Sequence, residues 1–293
     1  MERVHKRARW WYGARMWTMW DMVAAALAVY AGIAAWVFLT QRGLVYCPRR
    51  ALAATPDQAG LGYEDVRLVN GLGTEIHAWW LPCEGAERVL LLCHGNGGNV
   101  SYLMETYGIF HQLGLSVLAF DYSGYGLSGG RPSERGTRSD ALAAWDWLVR
   151  EKGFAPRDVV LFGRSLGGGV AARLAADLTE AGTEPGGLIL ESTFTSVADM
   201  GAAQYPWLPV RWLIRHRYDS ERALAGVRVP ALFLHSPEDD LVPYAMGRRL
   251  YDGYGGPKLF WALSGDHNCG FLSTSGYADG LRRFLRGLPG PGR

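Results

Sequence analysis

Residues 158–178 read DVVLFGRSLGGGVAARLAADL, and the fold of the chain turns on them. Val159 to Phe162 is a β-branched and aromatic run that predicts a buried strand, whereas Leu166, Val170, Leu174 and Leu178 recur at helical spacing. Between the two patterns lies Gly163-Arg164-Ser165-Leu166-Gly167, a G-x-S-x-G pentapeptide. A serine on a sharp strand-to-helix turn presents its hydroxyl outward, and small residues are needed where the backbone closes on itself. Ser165 is therefore the candidate nucleophile; the bland assignment for it is an ordinary helix-capping serine. A second match, Gly126-Leu127-Ser128-Gly129-Gly130, follows a glycine-rich loop and runs into Arg131-Pro132, where no such helix can start.

Further β-type runs at 75–80, 89–93, 115–120, 188–190, 231–234 and 259–263 surround this unit, and helical spacing covers 101–113, 139–151, 242–251 and 275–285. Strands alternating with helices predict an α/β fold, a mostly parallel sheet covered on both faces. In that architecture ligands gather at the C-terminal ends of the strands. With 293 residues, 48% apolar and 20% charged, the chain can bury one sizeable core, which excludes disordered and disulfide-dense classes.

A serine hydroxyl is a weak nucleophile until a base, itself oriented by a carboxylate, takes its proton. On such a sheet the expected chain order is Ser, acid, His. His267, in Ser264-Gly265-Asp266-His267-Asn268, is the only histidine after residue 240 and is the candidate base. His235 closes the run 231–234 ahead of every available acid, and reads as a packed strand-end residue. The acid lies among Glu238, Asp239 and Asp240, and spacing does not choose between them. An oxyanion hole needs two backbone N–H groups. Leu166 is expected to supply one, and Asn96 in the loop His94-Gly95-Asn96-Gly97-Gly98-Asn99 the other. That loop lacks the lysine of a phosphate cradle, and no metal-ligand spacing occurs, so no metal or organic cofactor is implied.

The net charge of +2 is too balanced for a nucleic-acid partner. Its distribution carries more information. Residues 1–21 hold five basic groups (Arg3, Lys6, Arg7, Arg9, Arg15) against Glu2 and Asp21, and the 19 residues 22–40 that follow carry no charge. As a helix that run is roughly 28 Å long, about a bilayer core. Trp10, Trp11, Trp17 and Trp20 on one side form a candidate interfacial belt. A cleaved signal peptide with a site at 51–54, a lipid anchor at Cys47 and a buried core helix are the competing assignments. Five basic residues before the run against Arg42, Arg49 and Arg50 after it place the N-terminus in the cytoplasm and the soluble body outside. Of the four cysteines, Cys93 reads as a buried core thiol, and Cys47 with Cys83 is the candidate disulfide.

The stretches LVYCPRR (44–50), LLCHGNGGN (91–99), AFDYSGYGLSGGRPSE (119–134), LFGRSLGGGVA (161–171), LESTFTS (190–196), YDS (218–220), DDLVP (239–243) and GDHN (265–268) together resemble the α/β-hydrolase superfamily. Within it they resemble the membrane-anchored α/β-hydrolase domain-containing proteins thirteen and seventeen. The resemblance implies an α/β-hydrolase domain over 44–288, a short cap near 192–228 and an N-terminal membrane anchor. It implies Asp239 as the acid, through the family's D-x-x-V-P position. It also implies hydrolysis of an ester or thioester, of a lipid or an acylated protein, with a serine aminopeptidase-type peptidase as the alternative and a non-catalytic scaffold as the reading from another class. Three positions depart from the family: Ser236 stands where glycine is usual, Cys47 where an aromatic is usual, and Asp266 where a small residue is usual. Asp266 beside His267 is expected to raise the imidazole pKa. The aromatics of 205–214 (YPWLPVRWLI) either line an acyl pocket or pack between helices.

Overall fold

A computed structural model describes residues 18–290; the basic groups of the tail and Trp10, Trp11 and Trp17 lie outside the described residues. Eight strands form the main sheet: β1 (Glu64–Val69), β2 (Glu75–Leu81), β3 (Arg88–Cys93), β4 (Leu115–Phe120), β5 (Val159–Arg164), β6 (Gly187–Glu191), β7 (Ala231–His235) and β8 (Lys258–Ala262). Their order is β8-β7-β6-β5-β3-β4-β2-β1. β2 runs antiparallel to both of its neighbours, and every other pairing is parallel.

The helices are α1 (Met19–Val45), α2 (Met104–Gln112), α3 (Glu134–Asp146), α4 (Leu166–Glu180), α5 (Val197–Gln204), α6 (Val210–Leu213), α7 (Ser220–Leu224), α8 (Tyr244–Gly253), α9 (Gly270–Ser273) and α10 (Tyr277–Arg286). Two apolar cores lie on the two faces of the sheet. Along β3, Val89, Leu91 and Cys93 join one core with residues of α3, α4, α7 and α8, whereas Leu90 and Leu92 join the other with residues of α2 and α10. This is the two-residue period of a strand buried on both sides.

Several boundaries differ from expectation for local reasons. β1 carries no strong strand pattern in the sequence because it is an edge strand on which only Val66 and Leu68 are buried among charged neighbours. Helix α3 starts five residues before 139, because Ser133 Oγ accepts from Gly136 N at 3.0 Å and caps it there. α8 begins after Pro243 rather than at 242. α1 begins at Met19, three residues before the uncharged run, through a capping box. Thr18 N donates to Asp21 Oδ2 at 2.9 Å, and Asp21 N donates to Thr18 Oγ1 at 3.2 Å. α1 is long and apolar enough to cross a membrane, and none of its apolar window is buried, which removes the core-helix assignment.

All four cysteines are free. The Cys47–Cys83 disulfide does not form because the two residues sit at opposite ends of the central strands. Cys47 pairs with Gly97, past the C-terminal end of β3, whereas Cys83 follows Leu81, which pairs with Val117 near the start of β4. Cys93 is buried, as expected, and burial alone drives its thiol pKa far up.

Candidate active site

The turn between β5 and α4 is strained at one residue. Ser165 has φ 54° and ψ −119°, a left-handed conformation costly for a residue with a Cβ. The flanking glycines make it possible by close approach: a Cβ on Gly163 would lie 2.3 Å from Gly167 O, and one on Gly167 would lie 2.0 Å from Cys93 O. Although Ser165 stands at the N-cap of α4, its side chain caps nothing. The capping assignment therefore fails, and the hydroxyl is aimed elsewhere.

It is aimed at His267. Ser165 Oγ lies 3.0 Å from His267 Nε2, and His267 Nδ1 lies 2.9 Å and 3.1 Å from the two oxygens of Asp239. Asp239 is in the loop after β7 and His267 in the loop after β8, so parallel strands bring together groups 102 and 28 residues apart. Asp239 is fixed by its own backbone, because its Oδ1 accepts from Leu241 N at 3.0 Å and Val242 N at 2.7 Å. Burial of this carboxyl works to raise its pKa. The hydrogen bonds from His235, His267 and Val242 N prevail and hold it well below the ordinary carboxylate range. With Asp239 ionised and a proton on Nδ1, Nε2 is left to accept from the serine hydroxyl.

His235 is a buried strand-end residue, as expected, and also a neighbour of this chain of hydrogen bonds: its Nε2 lies 3.0 Å from Val242 O and 3.3 Å from Asp239 Oδ2. Neither flanking acid reaches the ring of His267 at Nδ1. Asp240 Oδ1 accepts from His267 N at 3.1 Å, and Glu238 Oε2 accepts from Gly265 N at 2.6 Å, so both brace the base-bearing loop. Asp266 turns away, its Oδ1 accepting from Asn268 N at 3.0 Å and Cys269 N at 2.8 Å. It closes its own turn through these two amides. Ser236 Oγ accepts from Glu238 N at 3.0 Å, a turn contact that glycine could not make.

The two segments expected to carry the oxyanion donors lie next to Ser165. Leu166 is the first residue of α4, and the His94–Asn96 loop approaches so closely that a Cβ on Gly95 would lie 3.8 Å from Ser165 Cβ. Asn96 is held by its side chain, whose Oδ1 accepts from Cys47 N at 3.1 Å and Tyr125 Oη at 2.9 Å. The arrangement can transfer the serine proton and receive negative charge on an attacked carbonyl.

The chain's similarity to known proteins agrees with this architecture. Residues 84–223 match the family model described as serine aminopeptidase, S33. An uncharacterized protein of Mycobacterium tuberculosis is 36% identical over 268 residues, spanning 90% of this chain and 94% of its own. The α/β-hydrolase domain-containing protein WAV2 of Arabidopsis thaliana is 33% identical over 246 residues, spanning 76% of this chain and 78% of its own. The chain belongs to the α/β-hydrolase superfamily. The lysophosphatidylserine lipase ABHD12 of Danio rerio is 35% identical over 184 residues, covering 58% of this hydrolase and 48% of that protein. Among solved structures, the Pyrococcus furiosus esterase Pf2001 shares the fold, with a TM-score of 0.67 at 18% identity over 84% of this chain and 99% of its own.

Sequence reasoning passed over one group in this α/β hydrolase. Glu191 ends β6, its carbonyl accepts from Ser165 N at 2.9 Å, and its buried carboxylate pairs with Arg164 Nε at 2.5 Å and Tyr277 Oη at 2.5 Å. The signal was a charged residue closing an otherwise apolar strand, where a charge is kept only if paired. Ser128, the serine of the second pentapeptide, bridges two backbone segments instead of facing the site. Its buried Oγ accepts from His77 N at 2.9 Å and donates to Asp121 O at 2.7 Å. Ser128→Ala is expected to cost about 1–3 kcal/mol of stability by leaving buried polar groups unpaired. Urea unfolding measures this, with the rate per folded enzyme unchanged.

Proposed function

We propose that the chain is a membrane-anchored serine hydrolase that cleaves carboxylic ester or thioester bonds. The observation that carries this reading is the hydrogen-bonded series Ser165, His267, Asp239, headed by a serine of positive φ. Ser165 Oγ attacks the acyl carbon while His267 Nε2 takes its proton, and the tetrahedral oxyanion is met by the Asn96 and Leu166 amides. As the acyl–oxygen or acyl–sulfur bond breaks, His267 returns the proton to the leaving alcohol or thiol. Water then attacks the acyl-enzyme, giving one proton to His267, which passes it to Ser165 Oγ as the carboxylic acid departs.

The membrane reading is supported by α1 and by the charge asymmetry of the sequence, with the N-terminus in the cytoplasm and the hydrolase domain outside. Residues 192–228, which carry α5, α6 and α7, serve as the cap. The finer affinity with the domain-containing proteins thirteen and seventeen rests on the motifs quoted above. A lipid ester is favoured by the lipase named among the relatives, an acylated protein by the motif resemblance alone, and a peptidase reading by the description of the matching family model.

A chain-length series of p-nitrophenyl esters beside an aminopeptidase p-nitroanilide separates the two. The expected result is ester cleavage with kcat/KM rising at least tenfold from acetyl to longer acyl groups. Amide cleavage without ester cleavage contradicts it.

A further inference from the structure

The segment between β6 and β7 presents aromatic side chains at the surface: Trp207 is 55% and Trp212 is 91% exposed. Over residues 201–214 (GAAQYPWLPVRWLI) the one ionised side chain is Arg211, and Asp199 neutralises it at 2.7 Å. Hydrogen bonds at two levels fasten this run along α1. Tyr30 Oη donates to Trp207 O at 3.0 Å, with the two rings 6.5 Å apart. Eleven residues further along α1, Gln41 Nε2 donates to Leu213 O at 2.7 Å and Arg215 N donates to Gln41 Oε1 at 2.7 Å. At 1.5 Å per residue the two tie points stand roughly 16 Å apart along the helix axis.

The vertical order of side chains follows that axis. Both ends of the buried Gln41 amide are satisfied, as an amide at an apolar boundary requires. Arg42 comes next on α1, and Arg215, His216 and Arg217 come next on the other segment, with the Arg215 guanidinium 5.4 Å from the Phe38 ring. Charges therefore collect at the Gln41 level and apolar surface below it. Tyr30 sits near the middle of the uncharged run 22–40. A bilayer that covers that run also surrounds Trp207, because Tyr30 and Trp207 are hydrogen-bonded.

We propose that residues 205–214 insert into the acyl-chain layer of the leaflet on the hydrolase-domain side, and that the substrate is an ester lipid drawn from that leaflet. This rests on the reading of α1 as a membrane span and of Ser165 as the nucleophile. The inserted run is tied to the site at its base. Thr193 Oγ1 donates to Ser165 O at 2.7 Å, and α5 starts four residues later. An ester lipid can then leave its tail along the tryptophans while its carbonyl reaches Ser165.

Hydroxyl-radical footprinting of the full-length protein in phosphatidylcholine nanodiscs tests the insertion. Trp212 is expected to be oxidised at least tenfold more slowly than Tyr102, which is 45% exposed on the hydrolase domain. Trp212 oxidised as fast as Tyr102 overturns the proposal. The double variant Trp207→Glu, Trp212→Glu gives the functional arm. Cleavage of p-nitrophenyl palmitate in phosphatidylcholine vesicles should fall at least tenfold, with cleavage of soluble p-nitrophenyl acetate within twofold of wild type. Equal losses on both esters, or no loss on either, contradict it. If the wild-type protein cleaves neither ester, the hydrolase reading fails instead, and the footprint alone decides the insertion.

Discussion

Ser165→Ala is expected to lower kcat toward a p-nitrophenyl ester by about 10⁵-fold, with KM changed little. The reason is geometric. The hydroxyl lies 3.0 Å from His267 Nε2, and its Oγ makes no capping bond whose loss would disturb α4. Circular dichroism and unfolding midpoints should therefore match the wild type while turnover disappears. The remaining rate is expected to come from the proposed Asn96 and Leu166 amides and substrate binding. A steady-state assay with at least five decades of range, on protein free of contaminating esterase, is the measurement.

Asp239→Asn is expected to lower kcat by about 10⁴-fold, because an amide cannot hold the proton on His267 Nδ1 or stabilise the imidazolium that forms on proton transfer. This variant also changes the acid limb of stability. Hydrogen bonds to Asp239 hold its folded pKa below the unfolded value despite burial. The stabilisation is therefore fully present above the unfolded pKa of about 4 and is lost as pH falls through the lower folded value. Wild type should lose stability steeply below about pH 4, and the Asn variant should show a shallower decline, as measured by unfolding midpoints from pH 2 to pH 6. An equally steep decline in both proteins would place the acid sensitivity elsewhere.

What was legible in the sequence was what local pattern dictates. The elbow at Ser165 is written in adjacent residues, an apolar strand, two glycines and a helical repeat, and the structure adds only the reason, the 2.0 Å and 2.3 Å approaches that admit no Cβ at Gly167 and Gly163. The two serines of the two pentapeptides separated on context alone, and Ser128 proves to be a buried bridge between His77 and Asp121. Long-range contacts were not legible. The charge that closes the apolar run at Glu191 signals a partner, but nothing nearby announces that the partners are Arg164 and Ser165 N. Nothing near Tyr30 announces a hydrogen bond to Trp207, 177 residues away. Cys47 and Cys83 show the converse: residue type suits a disulfide, but the sheet register, which residue type does not reveal, puts them at opposite strand ends. Adjacency to His267 likewise says nothing of the Asn268 and Cys269 amides that claim the Asp266 carboxylate.

The central claim is that Ser165 is an activated nucleophile. It is tested most directly by treating the full-length protein with a fluorophosphonate probe and locating the adduct by peptide mass spectrometry. The predicted result is stoichiometric labelling on Ser165, none on Ser128, and no labelling in Ser165→Ala. An unlabelled wild-type protein, or an adduct on any other residue, would contradict it.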